Sequence, residues 1–192
     1  MDGVFSGMLD IYYAEMSTPE TASSAPVYGT PKVLGKGIET TITPVYAEGK
    51  LAASNTTIKR KKKITGYDIS MNTDNIAPAD LKAVLGRSDT TKKVQFVNKD
   101  EIAPTIALGF CATYDDGTKE YWWVYKCECA EVTRNMKTED TDNIEYNTPT
   151  LDASAMPLLN NGNLAAIADS NVVTDTTILS GWFTAVFLAD PT

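Results

Sequence analysis

The side chains that could do chemistry in this chain are few, and one absence narrows them further. None of the 192 residues is a histidine, so neither a Ser-His-Asp or Cys-His nucleophile nor an imidazole metal ligand can be built. The soft ligands are Cys111, Cys127 and Cys129. Cys127 and Cys129 lie two apart and point the same way on a strand. Three thiols without an imidazole make a poor zinc set, so they read as free thiols in a reducing cytosol. Carboxylates are many but sit in turn-like stretches, Asp115-Asp116 and Glu139-Asp140-Thr141-Asp142. The second is only a fragment of the calcium pattern D-x-[DN]-x-[DN]-G. Nothing singles out a pair for glycoside hydrolysis, and no P-loop, G-x-S-x-G or G-x-G-x-x-G motif is present. The expectation is a protein with no catalytic residues, no cofactor and no metal, and not an enzyme.

The strongest chemical signal is electrostatic. Lys59, Arg60, Lys61, Lys62 and Lys63 form an unbroken positive run in a chain with 17 basic and 25 acidic residues, net −8. Without those five, 12 basic side chains face 25 acidic ones, a net of −13. Overall acidity argues against a general nucleic-acid binder. The run reads as a subunit contact that meets acidic residues of a neighbour, with Glu139, Asp140 and Asp142 as candidates. The alternatives are DNA contact, or a solvated strand end whose lysines discourage edge pairing.

The aromatic run Tyr121, Trp122, Trp123, Val124, Tyr125 could stack bases or sugars. Its neighbours favour a core hairpin instead. Ile106, Leu108, Phe110, Ala112 and Tyr114 alternate up to Asp115, and Asp116-Gly117 suits a type I′ turn. With that turn Ala112 faces Tyr121, Phe110 faces Trp123, Leu108 faces Tyr125 and Ile106 faces Cys127, one apolar face across the whole ladder. The other face, with Cys111 opposite Trp122 and Gly109 opposite Val124, is apolar too. Both sides are therefore expected to be covered, with Trp122 under a helix or a neighbouring subunit.

Positioning these groups falls to one domain over 1–192, a length that buries a full core. A composition 43 % apolar and 22 % charged is that of a folded chain. No stretch approaches the roughly 20 apolar residues of a membrane helix, and Met1 to Met16 lacks the basic region of a signal peptide. Strands are expected over Leu9 to Met16, Val27 to Leu34 at an edge, Ile38 to Tyr46 ending at Pro44, Ile58 to Asn72 and Ile144 to Leu151. A bulge at Gly66 would bring Ile64 onto the face of Tyr67, Ile69 and Met71. Polar loops are expected over 17–26 and 48–57. A helix is expected over Asn75 to Leu85, capped by Asn75 and stopped by Gly86. A second, near Ile178 to Phe187, has Asp175 as its cap.

In order and spacing, LDIYYAEM, YGTPKVL, IETTITPVYA, IAPTIALGF, YWWVYK and IEYNTPTL resemble the major tail proteins of long non-contractile-tailed bacteriophages, the phi13-type group. The resemblance runs from about Leu9 to about Leu151, with a looser echo at WFTAV. It implies a mainly β fold of two packed antiparallel sheets, sandwich- or barrel-like, flanked by one α-helix, with a second short helix near the C-terminus. It implies hexameric rings stacked into a tube around a tape measure protein, started by a tail-tip or initiator complex and later conducting DNA in transit. Such a protein belongs to the virion tail, is assembled in the host bacterial cytoplasm, and binds no membrane. Segments 17–26 and 48–57 would be assembly arms. The basic run and the longer C-terminal stretch depart from the group's pattern. The competing reading is a monomeric or trimeric β-sandwich module that binds a receptor or carbohydrate.

Overall fold

Alternating β-branched and aromatic residues dominate this chain, and they form strands. The computed structural model describes residues 3–53, 55–138 and 146–189. In chain order, β1 is Phe5–Met8, β2 Asp10–Thr18, β3 Val27–Tyr28, β4 Lys32–Ala53 and β5 Thr56–Thr73. Helix α1, Pro78–Leu85, and a small ribbon of β6, Ser88–Asp89, and β7, Gln95–Phe96, come next. Then follow β8, Ile106–Tyr114, β9, Lys119–Cys129, β10, Thr150–Ala155, β11, Ala165–Asp169, and α2, Thr176–Ser180.

Nine strands make one antiparallel sheet, and that sheet closes on itself. Around the ring the order is β8, β2, β4, β5, β10, β9 and back to β8. The expected sandwich- or barrel-like fold thus takes its barrel form. β1 extends along the β8 edge that β2 uses, β11 extends along the β9 edge that β10 uses, and β3 hangs on β2.

Closure puts two apolar layers on either side of the β8–β9 ladder. Inside, Ile11, Ile69, Met71, Ile106, Leu108, Val124 and Leu151 are wholly or almost wholly buried. Leu81, Val84 and Leu85 of α1 join the same cluster, so the helix closes one end of the barrel. Tyr13 Oη, buried beside them, donates to Asp80 on that helix at 2.8 Å. Outside, Trp123, Tyr125 and Ala107 pack with Leu158, Ala168 and Trp182. Trp123 Nε1 donates to the Trp182 carbonyl at 2.9 Å, Tyr125 Oη donates to the Phe187 carbonyl, and Phe183 stacks on Tyr12 at 4.1 Å. The C-terminal segment is therefore the second cover, fastened through backbone carbonyls as well as rings.

The hairpin forms, but one residue out of the expected register. Phe110 faces Trp122, Gly109 faces Trp123, Leu108 faces Val124 and Cys111 faces Tyr121. The cause is the turn. Gly117, at φ 83°, donates to the Tyr114 carbonyl, and Tyr114 N–H donates to Thr118, which closes a three-residue loop. Asp116 stabilises that loop by accepting from both the amide and the hydroxyl of Thr118. A one-residue slip moves every side chain to the other face, so Trp122 turns inward and Trp123 outward. The expected pairing of Ile106 with Cys127 survives, because a bulge with Lys126 at φ 48° adds a residue before it.

Other boundaries moved as well. β4 lies inside the ring, and Pro44 sits within it opposite Tyr67. β4 pairs with β2 only over Lys32 to Lys36, so beyond that its second edge needs no donor. The segment 48–57 is strand on both sides of a tight turn, with Asn55 at φ 61° supplying the left-handed position. The bulge expected at Gly66 is present, with Thr65 as the extra residue between Ile64 and Gly66. Helix α1 begins at Pro78, with no side-chain cap at Ala77. Asn75 does not cap it; Asp74 instead accepts from the amides of Lys36 at 2.9 Å and Asn75 at 2.7 Å. Gly86, at φ 68°, ends the helix as expected. The strand expected to end at Leu151 begins at Thr150 and runs to Ala155; Ile144 and Glu145 lie outside the described residues. Asp175 does cap α2, accepting from Thr177 N–H at 3.0 Å.

Two outcomes are expected. Leu108→Ala should cost about 2–5 kcal/mol in urea denaturation, while exposed Leu51→Ala should stay within about 0.5 kcal/mol. The amides of Lys36 and Asn75 hold the Asp74 carboxyl below its ordinary 3.8. Its stabilisation is then fully present above 3.8 and lost as pH falls through the lower folded value. Asp74→Asn should flatten that part of the acid limb in a stability-versus-pH series.

Candidate functional site

The ring does not hold β4 and β5 for their whole length. β5 pairs with β10 only from Tyr67 to Asn72. Beyond that, Val45 to Ala53 and Thr56 to Gly66 pair only with each other. The result is a two-stranded arm about 30 Å long, from nine residues at ~3.3 Å each. Among the described residues, nothing pairs with either of its edges. Gly66 fixes its root, since a Cβ there would sit 2.5 Å from the Ala155 carbonyl oxygen.

The basic run lies on this arm. Lys59, Lys61 and Lys63 stand opposite Leu51, Gly49 and Ala47 on one face, while Arg60 and Lys62 share the other with Lys50 and Glu48. Arg60 grips Glu48 with bonds of 3.0 and 2.9 Å. Lys62 lies 3.7 Å from the same carboxylate and 3.9 Å above the Tyr46 ring. Glu48 is the arm's one acid against Lys50 and the five-residue run, a net of +5 over 45–66. Among the described residues, Lys59, Lys61 and Lys63 have no acidic partner. Pairs this exposed hold little free energy, so Glu48 orients one face of the arm and leaves the field positive. Leu51 is 59 % exposed and Ile58 65 %.

At the root of the arm the barrel wall parts. Gly37 N–H donates to the Leu9 carbonyl at 3.2 Å, and beyond that contact β1 and β4 diverge. Between them opens a cleft of about 520 Å³. Phe5 and Met8 wall it on one side, Thr40, Ile42 and Pro44 on the other, and Tyr67, Phe110 and Trp122 form its floor. Glu39 and Glu120 add two carboxylates to the lining, and Thr40 Oγ1 is buried with no hydrogen-bond partner among the described residues. This end of the barrel is opposite the one that α1 closes.

The remaining candidates are distributed as follows. Ile106, Leu108 and Phe110 point into the barrel; Trp123 and Tyr125 point outward under the C-terminal segment, with Tyr121 packed against them. The expected single hairpin face is thus split between two clusters. Glu139, Asp140 and Asp142 lie outside the described residues. Segment 17–26 is fastened to the body: the Glu20 side chain is 2 % exposed and meets Lys126 Nζ at 2.6 Å. Sequence reasoning missed that pair and the cleft. The pair joins residues 106 apart, and the only local hint was the polar loop itself. The cysteines are buried and free. Burial raises the thiol of Cys111 to about 11 and that of Cys129 to about 12, and Cys127 also lies well above its ordinary value. Among the described residues no three His, Cys, Asp or Glu side chains gather as a metal site, and no helix is long and apolar enough to cross a membrane.

No protein-family model matches the chain, and no curated protein matches it. Three solved structures are similar to it at low identity. One is the sheath–tube complex of an extracellular contractile injection system, PVC, in its extended state: 8 % identity, 83 % of this chain and 88 % of that chain, TM-score 0.35. Another is an Hcp protein: 9 % identity, 84 % and 99 % covered, TM-score 0.35. The third is the tube-terminating cap of the anti-feeding prophage: 9 % identity, 84 % and 89 % covered, TM-score 0.34. All three superpositions are loose.

Two measurements check the chemistry of this region. A thiol reagent at neutral pH should leave the native protein almost unlabelled and label three thiols per chain after denaturation. Lys126→Met strands the buried Glu20 carboxylate and should cost about 3 kcal/mol in urea denaturation.

Proposed function

We propose that this chain is a structural subunit that assembles with copies of itself into hexameric rings stacked as a phage tail tube. The arm carries this reading. A hairpin about 30 Å long, with both edges unpaired and exposed leucine and isoleucine near its tip, is a liability on a lone protein and a means of attachment in an assembly. The resemblance over Leu9 to Leu151 points the same way, and it brings the further partners: a tape measure protein within the tube, a tail-tip or initiator complex at its start, and DNA in transit. The place implied is the virion tail, after assembly in the bacterial cytoplasm.

Charge layout supports this reading. The body is acidic, so copies arranged around a bore would repel a passing duplex and keep it mobile. The lysine face formed by Lys59, Lys61 and Lys63 suits protein contact, because a ring of such lysines in the bore would hold phosphates in place. Trp123 and Tyr125 are covered by the C-terminal segment, so that part of the aromatic run is not open to a carbohydrate.

Electron microscopy of concentrated protein tests the reading. Rings with six-fold symmetry or tubes are the expected result, and particles that stay monomeric at every concentration would refute it. Lys61→Glu with Lys63→Glu should leave the monomer folded and shorten or abolish tubes. Added salt should weaken assembly of the parent protein, since exposed charges are screened over about 8–10 Å at 0.10–0.15 M.

A further inference from the structure

We propose that the cleft between β1 and β4 is the socket for the arm of a second copy of this chain, entered by the end that carries Leu51 and Ile58. The inference rests on the self-assembly reading above and names the surface that receives the arm.

The cleft asks for a particular occupant. Beyond the Leu9–Gly37 contact, neither β1 nor the facing edge of β4 has a strand beside it there among the described residues. Their backbone groups border a gap. Its floor is the apolar surface of Phe110 and Trp122, and apolar surface left open to water is unfavourable. An occupant that answers all of this has an apolar tip, a free strand edge with donors and acceptors, and positive charge for Glu39 and Glu120.

The arm has each of these. Leu51 and Ile58 are among its exposed apolar side chains. Lys59 stands directly opposite Leu51, so a cation enters with the apolar group. Both arm edges are unpaired among the described residues, and its net charge is +5 against a cleft lined by two carboxylates. The arm cannot fill its own cleft. It is rooted beside it, at Pro44 and Tyr67, and its ladder carries the tip away over about 30 Å. The occupant must come from another molecule. Arm and socket are different surfaces, so the contact is head-to-tail and repeats from copy to copy, the kind that builds rings or filaments.

Two exposed-site variants separate the halves of the contact. Leu51→Glu with Ile58→Glu disables the arm and keeps the socket. Phe5→Lys with Glu39→Lys disables the socket and keeps the arm. Phe5 and Glu39 are exposed in the single chain, so thermal melts should match the parent. In sedimentation velocity, each variant alone should need roughly tenfold or more protein to associate, the factor that 1.4 kcal/mol represents. Mixed, they should associate at lower concentration than either variant alone, because a mixed pair holds one working arm in one working socket. Socket variants that assemble like the parent, or mixtures that associate no better than the separate variants, overturn the inference and leave self-assembly standing. A parent chain that never associates overturns both.

Discussion

The β8–β9 ladder is the contact on which the rest of the molecule depends. β8 pairs with β2 on one edge and β9 on the other, and so joins an early strand to a late one. Without it the strands would form an open sheet with two long edges; with it β8 and β9 pair and the ring closes. The ladder also creates both apolar layers. Leu108 and Val124 face the core that α1 plugs, and Trp123 faces the layer that the C-terminal segment covers. Gly109 makes this possible, since a Cβ there would come within 2.9 Å of the Trp123 ring and 3.0 Å of Phe183. A side chain at that position would lift the outer aromatics off the barrel.

Much of this was legible in the residues, for local reasons. The Gly66 bulge could be read because apolar residues change parity there. The stop at Gly86 and the cap at Asp175 are one-residue signals with one-residue causes. The hairpin was legible as a hairpin but not in register: Asp116-Gly117 serves two turn geometries, and the hydrophobic pattern on both faces gave no reason to prefer one. Glu48 to Thr57 read as loop because its glycine, alanines and asparagine are poor strand formers, yet the paired strand holds Gly49 and Ala52 extended while Asn55 serves the turn. β11 was hidden for a similar reason, its Ala-rich sequence gaining strand geometry only beside Trp122 and Trp123. At the candidate site, the basic run was visible and its division between two faces was not. The cleft was invisible, because it arises where two strands far apart in sequence cease to touch.

Charge follows the same architecture. The positive residues of the run are gathered where the ring lets go of its strands, while the acidic excess is spread over the remainder. Alternation along β5 then gives the run two characters. Arg60 and Lys62 are steadied by Glu48 and Tyr46, and Lys59, Lys61 and Lys63 project from a face of small residues and one leucine. A side of the arm held in shape thus backs a side free to adjust.

The arm also has a place in time. Its two strands are neighbours in the chain and can pair as soon as both have left the ribosome. The barrel must wait for β8, β9 and β10, synthesised later, before it can close. Through that interval the edges of the arm's two strands are open to other chains, and five adjacent like charges disfavour edge-to-edge pairing between identical arms.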